Sequence, residues 1–411
     1  MTFGGGPFAS PGLWYRFHVK SRAPIVAALA LLAALPLAGQ ALRGFPPGYF
    51  SFPPLVVTAP DHAPFLWPVW AVFAAVGLFA ALLLLRPRGF GFSPEPASPS
   101  QDGIIPLPLH GRFGLALLAV SWFLAWSRLD LPGPAEQHTF FPLWLGFILF
   151  LDGLVFRRSG TSLATARRRD FLWMFPVSAV SWWYFEFLNR SVRNWWYPDR
   201  MDFGPVHYLI YSSLCFSTVL PAIFEIRDLL ATFPALRRRW SDGPRWRLPR
   251  TAPAAFILGA VLLPLVTRYP DPLFFATWVA PLLLLAGALG LARIESPFDP
   301  VKRGDWTPVL LLAYAALVCG FFWELWNAFS SPRWAYAVPY VDRFHLFAMP
   351  AVGYTGYLPF GPICACFWLA WTRLLRSRAN ASKSSDPFNA KGASGARERK
   401  RRTLSAEIQS K

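Results

Sequence analysis

The chain has 411 residues, of which 54% are hydrophobic and only 15% charged, and its 40 Lys and Arg residues against 22 Asp and Glu residues give a formal net charge of +18. A soluble domain usually carries about 25% charged residues, so this composition excludes a disordered chain and argues against a soluble enzyme. The presence of only 4 Cys residues excludes a disulfide scaffold. We therefore expect an integral membrane protein.

Ten apolar stretches follow one another along the chain, with no charged residue at their centres. A membrane-spanning helix needs about 20 such residues, and Pro inside it is tolerated when neighbouring helices bond the freed backbone groups. The predicted fold class is an all-α membrane bundle of about ten transmembrane helices, at residues 24–42, 66–85, 113–127, 139–156, 171–189, 206–225, 253–267, 271–291, 308–328 and 347–372.

Lys and Arg residues test this topology, because they concentrate in the cytoplasmic loops of membrane proteins. With a cytoplasmic N-terminus, all but eight of the 40 Lys and Arg residues fall on the cytoplasmic side. The eight on the outer side are Arg43, Arg128, Arg190, Arg193, Arg200, Arg268, Arg333 and Arg343. The distribution predicts a multi-pass protein of the bacterial cytoplasmic (inner) membrane, with both termini in the cytoplasm.

The first apolar stretch has a second interpretation. Basic residues from Arg16 to Arg22 precede it and Gly39-Gln40-Ala41 follows it, as in a secretory signal peptide with a small-residue cleavage site. We favour an uncleaved anchor, because the basic region is long and the cleavage site is imperfect. Leu42 lies outside the membrane in either case.

A stretch after Val180 recurs 138 residues later, with matches that include Glu186 and Glu324, Asn189 and Asn327, Trp196 and Trp334, and His207 and His345. A unit with an even number of spans leaves the membrane on the side where it entered, so we predict two parallel repeats of four helices. The predicted segments are a cytoplasmic N-terminus (1–23), two added helices and a basic loop (24–109), the first repeat (110–230), a basic loop (231–250), the second repeat (251–375) and a basic tail (376–411).

Each predicted repeat contains the pattern Glu-x2-Asn-x6-Trp-x10-His. The spacing of three places Glu and Asn on one helical face near the outer end of a span, and the His begins the next span. We expect this hairpin to bring each Glu close to the His of its own half. The candidate catalytic residues are therefore Glu186, Glu324, His207 and His345, and the candidate substrate-binding residues are Asn189, Asn327, Trp183, Trp196, Trp323 and Trp334.

Three chemistries compete for this pattern. A poorly hydrated carboxylate with a His partner can act as acid or base, and Trp faces bind apolar or cationic surface. A divalent metal would favour the same ligands, but two His residues without His-x3-His spacing do not predict one, and we predict no cofactor. Proton coupling in a transporter is the third, although transport sites usually lie near the membrane midplane.

A structural interpretation stays open beside these. Trp and Tyr at this depth are typical of the interfacial aromatic belt. The Glu and Asn residues would then cap helix ends or pair with Arg190, Arg193 or Arg333, as in a membrane scaffold or assembly partner.

Two further carboxylates lie near the cytoplasmic ends of their spans. We expect Asp152 to form a salt bridge with Arg157 or Arg158. Glu225 follows Leu220-Pro221 and precedes Arg227, so we expect a capping or ion-paired residue.

The combination Phe322-Trp323-Glu324-Leu325-Trp326-Asn327, then Trp334-Ala-Tyr336, then Gly353-Tyr-Thr-Gly-Tyr-Leu-Pro359 resembles polytopic bacterial membrane proteins that carry no assigned function. The resemblance covers residues 110–375. It departs after Pro359, where Ile363 stands in place of an expected Glu and Glu225 fills that place in the first half. The resemblance implies the membrane topology and no chemistry.

These patterns favour a protein that acts on or binds an amphiphilic, lipid- or isoprenoid-like molecule through paired Glu and His residues near the outer face. The alternatives are a transporter with a parallel-repeat fold and a scaffold. The expected partners are membrane lipids, with anionic headgroups at the basic tail. We expect no nucleic-acid partner, because the positive charge belongs to the cytoplasmic loops and the tail.

Overall fold

The structure is a computed structural model, and it describes residues 21–53, 58–93, 105–127, 136–198, 203–247 and 250–384. The first 20 residues and the tail from 385 to 411, for which we predict lipid contact, lie outside these ranges. The chain divides into two compact units, residues 1–368 and 369–411.

Helices occur at all ten stretches predicted to span the membrane. In the first 231 residues they are α1 (Ala23–Arg43), α2 (Trp67–Leu85), α3 (Leu109–Ser127), α4 (Phe140–Ser159), α5 (Leu163–Ala166), α6 (Arg168–Val192), α7 (Pro205–Phe216) and α8 (Val219–Ala231). After them come α9 (Pro234–Arg237), α10 (Thr251–Arg268), α11 (Ala276–Leu291), α12 (Thr307–Asn327) and α13 (Tyr357–Ser384). Within the described ranges, four two-residue strands lie between helices: β1 (Trp195–Trp196), β2 (Ala335–Tyr336), β3 (His345–Leu346) and β4 (Met349–Pro350).

Seven of the described helical segments are long and apolar enough to cross a membrane, counting α7 and α8 as one. The helix α11 is apolar but shorter. These helices support the prediction of a polytopic helical membrane protein. The count of ten spans and the two repeats stay predictions. The core lies where α8 packs against α4, α6 and α12. In contrast, α2 buries only Leu83, as expected of a helix that faces lipid.

Glycine allows two helix pairs to cross closely. A Cβ added to Gly146 of α4 would lie 2.5 Å from the backbone nitrogen of Leu118 and 2.9 Å from the carbonyl oxygen of Gly114 in α3. In the same way, a Cβ on Gly259 of α10 would lie 2.8 Å from the carbonyl oxygen of Ala280 in α11. Small residues at such crossings are what lets the backbones of membrane helices approach each other.

Gly146→Ala is expected to destabilise the protein by about 1–3 kcal/mol, because the added methyl group meets backbone atoms that move only with the whole helix. The midpoint of thermal unfolding in detergent measures this effect. The matched control is Gly89→Ala, whose added methyl group has no neighbour within 4 Å. Equal midpoints for the two variants would contradict the close crossing.

The sixth predicted span is broken into α7 and α8. Pro221 lies in the first turn of α8 and has no backbone N–H to continue the helical bonding across the junction. Ser178 of α6 bonds both sides of the break: its Oγ donates to the Phe216 carbonyl at 2.6 Å and accepts from the Leu220 N–H at 3.0 Å. The break is therefore stabilised from the neighbouring helix.

The tenth predicted span begins later than expected. Residues 345–350 form a hairpin in which His345 pairs with Pro350 and Leu346 pairs with Met349. A 3-10 turn (Ala351–Gly356) follows, and α13 begins at Tyr357 rather than at residue 347. Phe344 and Phe347 both have positive φ angles, of 55° and 58°, which a helix does not accommodate. The non-helical segment before α13 faces the cavity described next.

Candidate functional site

A cavity of about 550 Å³ lies between the ends of α4, α6, α7, α11, α12 and α13. Half of its lining residues are aromatic, namely five Trp, five Tyr and four Phe residues. These are Trp182, Trp195, Trp278, Trp323, Trp334, Tyr197, Tyr208, Tyr211, Tyr336, Tyr357, Phe140, Phe203, Phe216 and Phe360. Among the described residues, Arg333 is the one lining side chain with a full positive charge. Such a lining suits a largely apolar molecule with few polar groups.

Glu186 lies behind this aromatic wall and holds three of its residues. Its Oε1 accepts hydrogen bonds from Trp182 Nε1 at 3.2 Å, Trp195 Nε1 at 3.0 Å and Tyr197 Oη at 2.7 Å. The Glu186 side chain is buried. All three donors line the cavity, so the carboxylate fixes the orientation of the wall from behind.

Glu324 has the corresponding position in the second half. Its Oε1 accepts from Tyr336 Oη at 2.7 Å and from Tyr357 Oη at 2.9 Å. Trp334 Nε1 donates in turn to Tyr336 Oη at 2.9 Å, which forms a chain from indole to phenol to carboxylate. Glu324 is 0% exposed, and Trp334, Tyr336 and Tyr357 all line the cavity.

Asn189 and Asn327 each bind the segment that follows their own helix. The Asn189 amide donates to the Trp195 carbonyl at 2.7 Å, and its oxygen accepts from the Trp195 N–H at 3.4 Å. Asn327 makes the same two bonds with Trp334, at 2.8 Å and 2.9 Å. The residue in the first half that corresponds to Trp334 is therefore Trp195 rather than Trp196, because the second loop is one residue longer.

The two networks meet at a short antiparallel pairing of β1 with β2. Trp195 lies opposite Tyr336, and Trp196 lies opposite Ala335. Ala337 extends the contact by donating its N–H to the Asn194 carbonyl at 3.0 Å. As a result, Tyr197 and Tyr336 both line one cavity.

Both of these phenols lie in segments between helices and stay protonated. Burial, followed by the charge of Glu186, raises the pKa of Tyr197 well above its ordinary value. Burial and then Glu324 raise the pKa of Tyr336 in the same direction. At neutral pH each phenol therefore keeps its proton and donates a hydrogen bond to the Glu carboxyl group, while its oxygen presents lone pairs as an acceptor.

Each Glu accepts a hydrogen bond from one further aromatic residue, and the two residues lie on different helices. Trp182 comes from α6 itself, four residues before Glu186. The position four residues before Glu324 is Gly320, and an added Cβ there would overlap the ring of Tyr357. Tyr357 comes instead from the facing helix α13, at the place where the first half has Val219. Each carboxyl group therefore has one large aromatic donor, which comes from its own helix at Glu186 and from the facing helix at Glu324.

The described contacts of the candidate histidines are with residues other than the two carboxyl groups. His207 is exposed, and its Nε2 lies 2.9 Å from Nε2 of His138. His345 is exposed and pairs with Asp342 at 2.8 Å. The observed partners of Glu186 and Glu324 are Trp and Tyr residues, and each Asn binds the segment after its own helix. Of the Trp candidates, Trp323 and Trp334 line the cavity; Trp183 bonds to Ser213 at 3.0 Å, and Trp196 lies on the β pairing.

Sequence reasoning missed Tyr197, Tyr336 and Tyr357 as partners of the carboxylates. A signal for two of them was present: Trp195-x-Tyr197 and Trp334-x-Tyr336 share one spacing. The fixed offset of 138 hid this match, because the extra residue in the second loop shifts it to 139. Trp182 and Tyr357 gave no such signal, since they occupy non-equivalent positions.

The arrangement has the elements of a binding site with fixed polar groups. Aromatic rings supply apolar walls and faces that attract cations. Behind those rings, two buried carboxyl groups accept hydrogen bonds from the phenol and indole groups, which polarises those O–H and N–H bonds. Comparison of the chain with protein-family models, curated proteins and solved structures finds no match.

Proposed function

We propose that this polytopic membrane protein binds an amphiphilic, lipid- or isoprenoid-like molecule in the aromatic cavity. The observation that carries the proposal is a 550 Å³ cavity with walls of Trp, Tyr and Phe, in which buried Glu186 and Glu324 hold the polar edges of the rings. An apolar chain would lie along the rings. Its head group would lie near Tyr197 and Tyr336, where the hydrogen-bonding groups of both halves are concentrated.

The environment of the carboxylates favours binding over a scaffold role. A scaffold would leave Glu186 and Glu324 hydrated and paired with Arg side chains. Both are buried and accept bonds from aromatic donors, while Arg190 donates to the carbonyls of Tyr49 and Ser51 at 2.5 Å and 2.9 Å. Intramembrane carboxylates are costly to keep and are usually functional.

We further propose that the cavity forms between two parallel four-helix repeats, in a protein with ten spans and a bacterial inner-membrane location. The matching bonds of Asn189 and Asn327 support the repeat, as do the matching glycine crossings of α3 with α4 and α10 with α11. In this arrangement the cavity lies toward the outer face, and the predicted basic loops lie on the cytoplasmic side.

The test is native mass spectrometry of the protein purified in mild detergent. We expect the wild type to retain about one amphiphile per chain. Ser212→Phe places a ring in the cavity, because Ser212 lines it, and should abolish retention. The matched control is Leu214→Phe on the same helix, where the side chain is 42% exposed and outside the cavity lining, and retention should persist. Identical lipid sets in the wild type and Ser212→Phe would refute binding in this cavity.

Transport is the second candidate, supported by two further buried carboxyl groups, Asp152 of α4 and Glu225 of α8. Comparing metabolites between a deletion strain and the strain restored with wild type or Ser212→Phe separates the two. An amphiphile that moves between cells and medium indicates transport. A precursor that accumulates while a related product disappears indicates an enzyme that uses the same cavity.

A further inference from the structure

A second group of buried ionisable side chains lies away from the aromatic cavity, between α4 and α8. Asp152 of α4 and Glu225 of α8 are both 0% exposed. The two helices pack against each other, and the Glu225 carboxyl group interacts with the Asp152 carboxyl group. Two interacting, fully buried carboxyl groups cannot both be ionised, because their repulsion in a medium of low dielectric constant is too large.

Asp152 has the donors that an ionised carboxylate needs. Its Oδ2 accepts from Ser162 Oγ at 2.7 Å and lies 2.8 Å from His110 Nε2. Its Oδ1 accepts the backbone N–H of Ala164 at 2.9 Å. The partners expected from the sequence, Arg157 and Arg158, are not those observed: Arg158 instead donates to Thr232 Oγ1 at 2.7 Å.

Glu225 has the opposite environment. Neither of its carboxyl oxygens accepts a hydrogen bond from a donor in the described part of the chain, although both are fully buried. The expected pairing with Arg227 is also replaced, since Arg227 Nη2 binds Asp228 Oδ1 at 2.6 Å. A buried carboxylate without donors is strongly destabilised, whereas a protonated carboxyl group can donate to its neighbour.

We propose that Asp152 and Glu225 form a proton-binding site, in which Glu225 carries the proton and donates it in a hydrogen bond to ionised Asp152. The ligand is a single proton, and no metal is required. Loss of the proton leaves two adjacent carboxylates, so binding and release change the charge buried between α4 and α8 by one unit.

Several charged and titratable groups surround Asp152 and Glu225. Arg227 and Asp228 lie on α8 itself, and Arg167 pairs with Asp170 at the start of α6. His110 approaches from α3, and Arg237 lies on the neighbouring short helix α9. The α12 sequence from Thr307 to Phe322 contains no charged residue, and its titratable side chains there are Tyr314 and Cys319. The Asp228 side chain is 26% exposed and lies three residues after Glu225 on α8.

The proton site shares a helix with the aromatic cavity. Val219, at the start of α8, lines the cavity, and Glu225 lies six residues later, about 9 Å along the helix axis. A change of charge at Glu225 therefore acts on a helix that forms part of the cavity wall. The proton site itself stands on its own contacts and does not depend on the proposed ligand.

Infrared spectroscopy of the purified protein, in a detergent without ester or carboxyl groups, tests the proposal. We expect a carboxylic-acid C=O band at neutral pH that disappears reversibly when the pH is raised. Glu225→Gln should remove the intensity of one acid per chain, while its amide N–H still donates to Asp152 and preserves the packing. Asp152→Asn should keep that intensity but shift the band, because the acid then donates to an amide oxygen instead of a carboxylate.

The matched control is Glu295→Gln, which replaces a partly exposed carboxylate 3.5 Å from Arg303 and should leave the band unchanged. Circular dichroism verifies that each variant is folded. An acid band in Glu225→Gln equal to that of the wild type would overturn the proposal. So would a band that persists in the folded wild type at every pH, since that result indicates a permanently neutral acid.

Discussion

Replacing Glu324 with Leu is expected to destabilise the protein by about 3–5 kcal/mol, whereas Glu324→Gln should cost only about 1 kcal/mol. Leu removes the acceptor of both Tyr336 and Tyr357, and each buried phenol left without an acceptor costs about 1–3 kcal/mol. Gln keeps a carbonyl oxygen at the same place and can accept from at least one phenol. The two variants thus separate the role of the acceptor from the role of the charge.

The measurement is the midpoint of thermal or denaturant unfolding in detergent. Glu295→Leu is the matched control, because it makes the same replacement at a partly exposed site and should change stability by no more than about 0.5 kcal/mol. Ligand retention should be lost in Glu324→Leu even at temperatures where the variant is folded, since Tyr336 and Tyr357 both line the cavity. Equal unfolding midpoints for Glu324→Leu and Glu295→Leu would contradict a supporting role for Glu324.

The positions of the helices could be predicted because a membrane imposes a length and a composition on each span. The ends were less predictable where side chains from another segment determine them. The break between α7 and α8 depends on Ser178, which lies 38 residues before Phe216 in sequence. The late start of α13 depends on the hairpin of residues 345–350 and on the positive φ of Phe347. Neither contact appears in the hydropathy of the segment itself.

Only part of the candidate site was predictable from the sequence. Glu186, Asn189 and their counterparts stand out because polar residues are rare in apolar spans, and each pair lies within the last two turns of its helix. Their partners were not predictable from type alone, since a Trp or Tyr near the membrane surface is as typical of an aromatic belt as of a binding site. His207 and His345 illustrate the converse: a repeated spacing marked them, yet their described contacts are with His138 and Asp342.

Gly320→Trp is expected to destabilise the protein by at least about 3 kcal/mol, and the additional change Tyr357→Val is expected to restore most of that loss. The indole in the single variant must enter the space of the Tyr357 ring, which an added Cβ at Gly320 already overlaps. The double variant reproduces the first half, where Trp182 donates to Glu186 and Val219 occupies the facing position. The new indole N–H should then donate to Glu324 in place of the lost phenol.

Unfolding of the two single variants and the double variant forms a double-mutant cycle, for which we expect a favourable coupling of about 2–3 kcal/mol. The reciprocal exchange in the first half, Trp182→Gly with Val219→Tyr, should give a coupling of the same sign, because Tyr at 219 would then reach Glu186 as Tyr357 reaches Glu324. A double variant that loses the sum of both single losses would show that the two halves are not equivalent around their carboxylates. Recovery in both halves would establish that each carboxylate requires one large aromatic donor and accepts it from either of two helices.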